Sequence, residues 1–182
     1  MFGYTGYKKS GFTLAEVLVT LGIIGIVATL TVPSMVMNYQ RRIMESKLKK
    51  AYSIATNACE RMLTEENVSR VNETEIYGKY GDDLNDNDIK LYFKTTKSGG
   101  NVNGKGYAIN LPDSTVLYLK AENNGFTFYT DVDGADSGSN TAGVDLFEFK
   151  LDSNCSYDSN LGENPSDEAT KFNDVVENDW KI

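Results

Sequence analysis

The chain has 182 residues and carries 18 Lys and Arg against 26 Asp and Glu, which gives a formal charge of −8. That length fits one domain with an appendage. Such an acidic composition excludes nucleic-acid binding over the whole surface. Histidine is absent, so catalytic centres and metal sites that need its imidazole are excluded, and the composition argues against an enzyme.

A long apolar run follows a short polar leader. Residues 1–11 contain Lys8 and Lys9 and no acid, whereas residues 12–37 are uncharged except for Glu16. As a helix, residues 17–37 would span roughly 31 Å, which is about the thickness of the hydrocarbon layer of a membrane. The run is too long for an ordinary secretory signal, and we expect a transmembrane helix.

The boundary between leader and run carries a recognisable signal, Lys8-Lys9-Ser10-Gly11-Phe12-Thr13-Leu14-Ala15-Glu16. It resembles the class III signal of type IV prepilins and type II secretion pseudopilins. In that family a prepilin peptidase cuts after the glycine on the cytoplasmic side and methylates the new N-terminal Phe. The resemblance implies a cut between Gly11 and Phe12 that leaves 171 of the 182 residues. Glu16 would then be the fifth mature residue and Pro33 the twenty-second, two positions that fit the family pattern.

Glu16 is the unusual residue of the apolar run. A carboxylate inside a transmembrane helix costs roughly 2.5 to 3.5 kcal/mol and marks a site with a partner. In a filament of staggered helices, Glu16 of one subunit could neutralise the α-amine that cleavage creates at Phe12 of its neighbour. The alternative is a glutamate at the membrane edge, stabilised by the helix dipole and hydrated by headgroups.

Pro33 lies within the predicted helix. Proline has no amide hydrogen, so the bond to the Thr29 carbonyl is lost and we expect the helix to kink or loosen over residues 29–33.

The charges around the run conflict with the prepilin orientation. Two basic residues precede the run and five follow it closely, so the positive-inside rule alone would place the C-terminal side in the cytoplasm. Processing requires Gly11 to be cytoplasmic, and we follow the motif. The later basic residues are then expected to face headgroups or acidic neighbours; they are Arg41, Arg42, Lys47, Lys49 and Lys50.

The remaining chain predicts an α+β fold. Apolar residues continue at helical spacing to about residue 65, so residues 38–65 form an amphipathic spine helix after the transmembrane helix at 12–37. Residues 66–106 are a polar connecting region with one short helix at 86–93. Strands are predicted at 107–110, 115–120, 126–130 and 146–151 within a sheet region 107–151, followed by an acidic tail at 152–182. A pilin-like antiparallel sheet packed on the long N-terminal helix is the expected architecture.

The segment that follows the third predicted strand is a candidate metal site. The segment 131–136 offers carboxylate oxygens from Asp131, Asp133 and Asp136, at the kind of spacing that a hard cation such as Ca²⁺ prefers. Asp145 follows across a Gly-rich loop. The loop lacks the EF-hand glutamate, although it is similar to the C-terminal calcium loop of major pseudopilins. The alternative is an Asx turn in which the Asp side chains accept bonds from nearby amides while Gly134 and Gly143 supply positive φ.

Cys59 and Cys155 are the two cysteines of the chain. In an exported domain an even count permits one disulfide, here between the spine helix and the segment after the last strand. Two separate buried thiols are the alternative.

The resemblance implies a structural subunit of a pseudopilus or pilus, anchored in the bacterial inner membrane by one span with its globular domain outside the cytoplasm. Its partners would be prepilin peptidase, an assembly platform with its cytoplasmic ATPase, and other pilin subunits. A second possibility is a calcium-dependent surface-binding module whose helix is an anchor. A third, an anchored enzyme, would need a pocket of perturbed acids, and the sequence shows none.

Overall fold

The structure is a computed structural model that describes residues 11–79, 84–95, 97–102, 105–122, 124–134, 141–160 and 165–182. Two compact units are distinguished, Met1–Gln40 and Arg41–Ile182. Helix α1, Leu14–Glu66, contains 53 residues and contributes to both units.

In the first unit, α1 presents its apolar side chains to the outside. Its most apolar 18-residue window has a mean hydropathy of 2.2, and none of that window is buried. Leu14 and Leu30, for example, are 81% and 76% exposed. The helix is long and apolar enough to cross a membrane, as the sequence predicts.

In the second unit, the amphipathic part of α1 lines a hydrophobic core. Its buried residues recur three or four positions apart, so they form one stripe of the helix. The ring of Tyr52 meets that of Phe149 edge to face, with centroids 5.3 Å apart. The predicted spine helix is therefore confirmed; its buried residues are Leu48, Ala51, Ala55, Ala58, Cys59 and Met62.

The core of the second unit lies between α1 and a five-stranded antiparallel sheet. The strands follow one another in chain order, so the sheet is a simple meander. Alternate residues face the core, and Phe128 pairs with Phe149 across two neighbouring strands. The five strands are β1 Lys97–Val102, β2 Gly106–Asn110, β3 Val116–Glu122, β4 Gly125–Asp131 and β5 Leu146–Leu151. The four predicted strands correspond to β2, β3, β4 and β5 and are confirmed.

The predicted connecting region, 66–106, is more structured than expected. The short helix predicted at 86–93 is present as α3, Asp86–Tyr92. A 3-10 helix, Val71–Glu73, and helix α2, Glu75–Gly78, were missed, and so was β1. The sequence of β1, Lys-Ser-Gly-Gly-Asn-Val, lacks apolar alternation, so only its pairing with β2 reveals it as a strand.

The acidic tail, 152–182, also contains an element that the sequence analysis missed. Helix α4, Asp167–Glu177, starts at Ser166, whose hydroxyl accepts a hydrogen bond from the Ala169 amide at 3.0 Å. Phe172 is buried and stacks on Phe149 with centroids 5.0 Å apart. The tail therefore packs on the domain where the structure describes it.

Cys59 of α1 and Cys155, which follows β5, form a disulfide. Their Cα atoms lie 5.7 Å apart, within the ordinary range for a disulfide, and both residues are buried. The bond joins the spine helix to the far end of the sheet across 96 positions of sequence, so it restricts the unfolded chain strongly.

We expect the Cys59→Ala/Cys155→Ala double variant to lose about 2–5 kcal/mol of unfolding free energy, because the unfolded chain regains the entropy of a long loop. Urea denaturation of the full chain in detergent micelles, followed by the fluorescence of Trp180, measures this change. The wild type in a thiol reductant is the matched control and should lose a similar amount. An unchanged urea midpoint in both samples would contradict the prediction.

Candidate functional site

The candidate processing site lies directly before α1. Gly11 and Phe12 are exposed and precede the first residue of the helix, and Phe12 is 89% exposed. A Cβ placed on Gly11 would have no neighbouring atom within 4 Å. The peptide bond between the two residues is therefore accessible, as a protease substrate has to be.

Glu16 is hydrogen-bonded to Thr13 at the start of α1. Its Oε2 accepts bonds from the Thr13 amide and from Thr13 Oγ1, both at 2.8 Å. The Glu16 amide in turn donates to Thr13 Oγ1 at 3.2 Å. These reciprocal bonds form a capping box, which satisfies donors that the first turn of a helix leaves free.

Thr13 is a functional residue that the sequence analysis did not single out. The signal was present, since Ser or Thr followed three residues later by Glu before an apolar run is the sequence pattern of a capping box. The consequence concerns Glu16, whose carboxylate already has a partner within its own chain. Any neighbouring amine has to add to these bonds or replace them.

Pro33 does not end α1, which continues for many residues on both sides of it. Nearby hydroxyls bond backbone carbonyls of the preceding turn: Thr29 Oγ1 donates to Ile26 at 2.8 Å, and Ser34 Oγ donates to Thr31 at 3.0 Å. The kink or loosening of the helix expected over residues 29–33 stays a prediction, and it would have to occur within a helix that continues past Pro33.

Three of the four predicted metal ligands lie close together at one edge of the sheet. Asp131 ends β4 and Asp145 directly precedes β5, and both are buried. The Val132 amide donates to the Asp145 carbonyl at 2.9 Å, which holds the two segments together. Asp133 lies next to them, whereas Asp136 lies outside the described residues.

Some oxygens of these acids are used by the backbone. Asp131 Oδ1 accepts from the Gly134 amide at 3.0 Å, and Asp145 Oδ1 accepts from the Thr141 amide. Gly134 and Gly143 both have positive φ, as the Asx-turn alternative predicts. Among the residues that the structure describes, no group of three or more acids or cysteines could hold a metal ion.

The environment of Asp131 disfavours its charged form. Burial raises its pKa to about 6, and the hydrogen bond and the charge shared with Asp133 act in the same direction. Its Oδ2 is buried, and apart from Asp133 no described residue donates a hydrogen bond to it. Asp131 is thus the acid of this group whose ionised form most lacks compensation.

The basic residues that follow the apolar run divide into two groups. Lys47 Nζ donates to the Val132 carbonyl at 2.9 Å, and Lys50 Nζ lies 2.7 Å from Asp113 Oδ2. Partial burial alone would raise the pKa of Asp113, but the hydrogen bonds from Lys50 and Thr115 outweigh it and hold this pKa below its usual value. These two lysines therefore contact the folded domain, whereas the side chains of Arg41 and Arg42 make no hydrogen bond or ion pair with the described residues.

Comparison with known proteins finds similarity over short stretches of the chain. Residues 7–32 match the family model of the prokaryotic N-terminal methylation motif. A stretch of 40 residues is 40% identical to type II secretion system core protein G of Pectobacterium carotovorum subsp. carotovorum. That stretch is 22% of this chain and spans about a quarter, 26%, of the relative. No solved structure matches the chain. The chain carries the methylation motif, and Gly11, Phe12 and Glu16 lie inside it.

Proposed function

We propose that the chain is a structural subunit of a type II secretion pseudopilus or a type IV pilus-like filament. The observation that carries the proposal is the methylation motif at residues 7–32. The motif covers the beginning of an apolar helix that is long enough to cross a membrane and whose apolar side chains are exposed. A helix with that much exposed apolar surface needs lipid or neighbouring helices around it. Membrane insertion followed by assembly supplies both in turn.

Processing changes the charge at the start of α1. Hydrolysis of the bond between Gly11 and Phe12 adds one water, releases the leader with a new carboxylate, and leaves an amine at Phe12. That amine is protonated at neutral pH, and its methylation keeps the charge. The cut therefore creates a cation four residues before the carboxylate of Glu16.

Assembly brings the two charges of different subunits together. Both bonds from Thr13 are made to Glu16 Oε2, so Oε1 can accept from the Phe12 amine of an adjacent copy. In a low-dielectric bundle of helices, an ion pair of this kind offsets part of the cost of burying each charge. A subunit at a different axial offset from its neighbour would leave both charges without a partner. The ion pair would therefore fix the axial offset between neighbouring subunits.

The proposal assigns location and partners. The chain is held in the inner membrane by one span, with its globular domain outside the cytoplasm. Prepilin peptidase processes it, and an assembly platform with its ATPase moves it into a filament of pilin or pseudopilin subunits. Its role is structural, not catalytic.

We expect the Glu16→Ala variant to be processed normally and to form filaments roughly tenfold less than the wild type or worse, because a buried amine left without its partner costs several kcal/mol. Sheared filaments quantified against total processed subunit measure this effect. Glu60→Ala is the matched control, since it removes an exposed glutamate from the same helix. Filaments of Glu16→Ala at the wild-type level would defeat the charge-pair argument.

A calcium-dependent surface-binding module is the second candidate, and the buried Asp131 Oδ2, to which no described residue apart from Asp133 donates, favours it. The three described acids do not by themselves form a group that could hold a metal ion, so the calcium candidate depends on Asp136, which belongs to the proposed ligand set by sequence. A divalent cation held by such a set would compensate the buried oxygen of Asp131. The cation would supply charge neutralisation and a fixed loop conformation.

If the site binds calcium, millimolar Ca²⁺ should raise the melting temperature of the full chain relative to the same chain with chelator. Asp131→Asn should abolish that difference, whereas Asp179→Asn, an exposed acid elsewhere, should preserve it. A wild-type melting temperature that is equal with Ca²⁺ and with chelator removes the calcium candidate and leaves the Asx turn.

A further inference from the structure

The five basic residues that follow the apolar run do not have equivalent surroundings. Three are engaged inside the second unit: Lys47 by the Val132 carbonyl, Lys50 by Asp113, and Lys49, whose Nζ lies 5.6 Å from the ring centre of Trp180. Each of these contacts holds the spine helix to a different part of the domain. Their charges are thus part of the fold.

Arg41 and Arg42 differ from those lysines. Both are exposed, and in the described part of the chain neither side chain makes a hydrogen bond or an ion pair. They are consecutive on α1, so their side chains point about 100° apart around the helix and cover a wide sector of its surface. Two unengaged guanidinium groups this close together form a local positive patch on an otherwise acidic chain.

The sequence position of this pair corresponds to the depth of lipid headgroups. The apolar run ends at Met37, so Arg41 and Arg42 follow it by four and five residues, or roughly 6 to 7.5 Å of helix. The headgroup layer on each side of a bilayer is roughly 5 to 7 Å thick. Tyr39 lies between the run and the pair and is 66% exposed, which is typical of the aromatic residues found at membrane interfaces.

We infer that Arg41 and Arg42 bind the phosphates of anionic lipid headgroups on the outer side of the membrane that α1 crosses. The guanidinium fork matches phosphate oxygens in a bidentate geometry. The rest of the domain strengthens this need, since residues 41–182 hold 25 acids against 16 bases and an anionic membrane surface repels them. The pair holds the base of the domain at the membrane surface despite that repulsion.

This inference rests on the proposed membrane insertion of α1, but not on filament assembly. The acidic surface of a second copy is the other surface that the pair could contact. Lipid is favoured because Tyr39 and the apolar run continue directly into the pair, so a membrane-inserted chain brings the arginines to phosphate before any second copy arrives.

The test compares lipid retention by the full-length chain in micelles that contain equal amounts of phosphatidylglycerol and phosphatidylcholine. Native mass spectrometry counts the molecules of each lipid that stay on the chain. We expect the wild type to retain phosphatidylglycerol in preference, and Arg41→Gln/Arg42→Gln to lose that preference by roughly fivefold for each arginine removed. Arg70→Gln/Lys94→Gln changes the net charge equally at exposed positions elsewhere and should keep the wild-type preference.

Flotation of the same chains with phospholipid vesicles separates this inference from the anchoring on which it rests. A wild-type chain that fails to float overturns both. A chain that floats, yet whose Arg41→Gln/Arg42→Gln variant retains phosphatidylglycerol as the wild type does, overturns the lipid inference alone. Chemical cross-linking of the same chains gives the alternative outcome. If that variant forms fewer cross-links between copies than the wild type does, the pair contacts a second copy instead.

Discussion

The carboxylate of Glu16 lies near the start of a helix whose next 21 residues carry no charge, and this constraint organises the first unit. In a single chain the hydroxyl and amide of Thr13 satisfy the carboxylate by hydrogen bonds, but they do not neutralise its charge. Neutralisation requires a cation, and removal of the leader would create one at Phe12. Under the proposed function, one electrostatic requirement would couple processing to assembly, because the cation would arise only after the cut and would pair with Glu16 of a neighbouring subunit.

The second unit provides a rigid domain on the same helix. Alanines occupy three of the buried positions of α1, and aromatic rings from β4, β5 and α4 pack in the same core. The Cys59–Cys155 disulfide and the lysines at positions 47, 49 and 50 fasten the helix to the sheet, the loops and the tail. The sequence showed a conflict between the positive-inside rule and the orientation that the prepilin motif requires. These contacts explain much of it, since the folded domain engages three of the five basic residues that follow the run.

The sequence predicted those features that rest on strong local patterns. The apolar run, the spine stripe and four strands follow from periodicity. Strand β1 was missed because two glycines remove its apolar alternation. Helix α4 was missed because charged and polar residues dominate a short segment whose buried residues are Ala169, Phe172 and Val175. The Thr13–Glu16 capping box was missed although it follows a local pattern, Thr followed three residues later by Glu before an apolar run. The bond from the Gly134 amide to Asp131 is the local Asx-turn contact, whereas the proximity of Asp131 to Asp145 depends on the pairing of β4 with β5, which no local pattern encodes.

The most direct measurement is the intact mass of the full chain after coexpression with a prepilin peptidase. The account predicts the loss of residues 1–11 together with the addition of one methyl group, located at Phe12 by fragmentation. A precursor that stays uncut, or one that is cut elsewhere, would leave Glu16 without the cation on which assembly depends and would contradict the account.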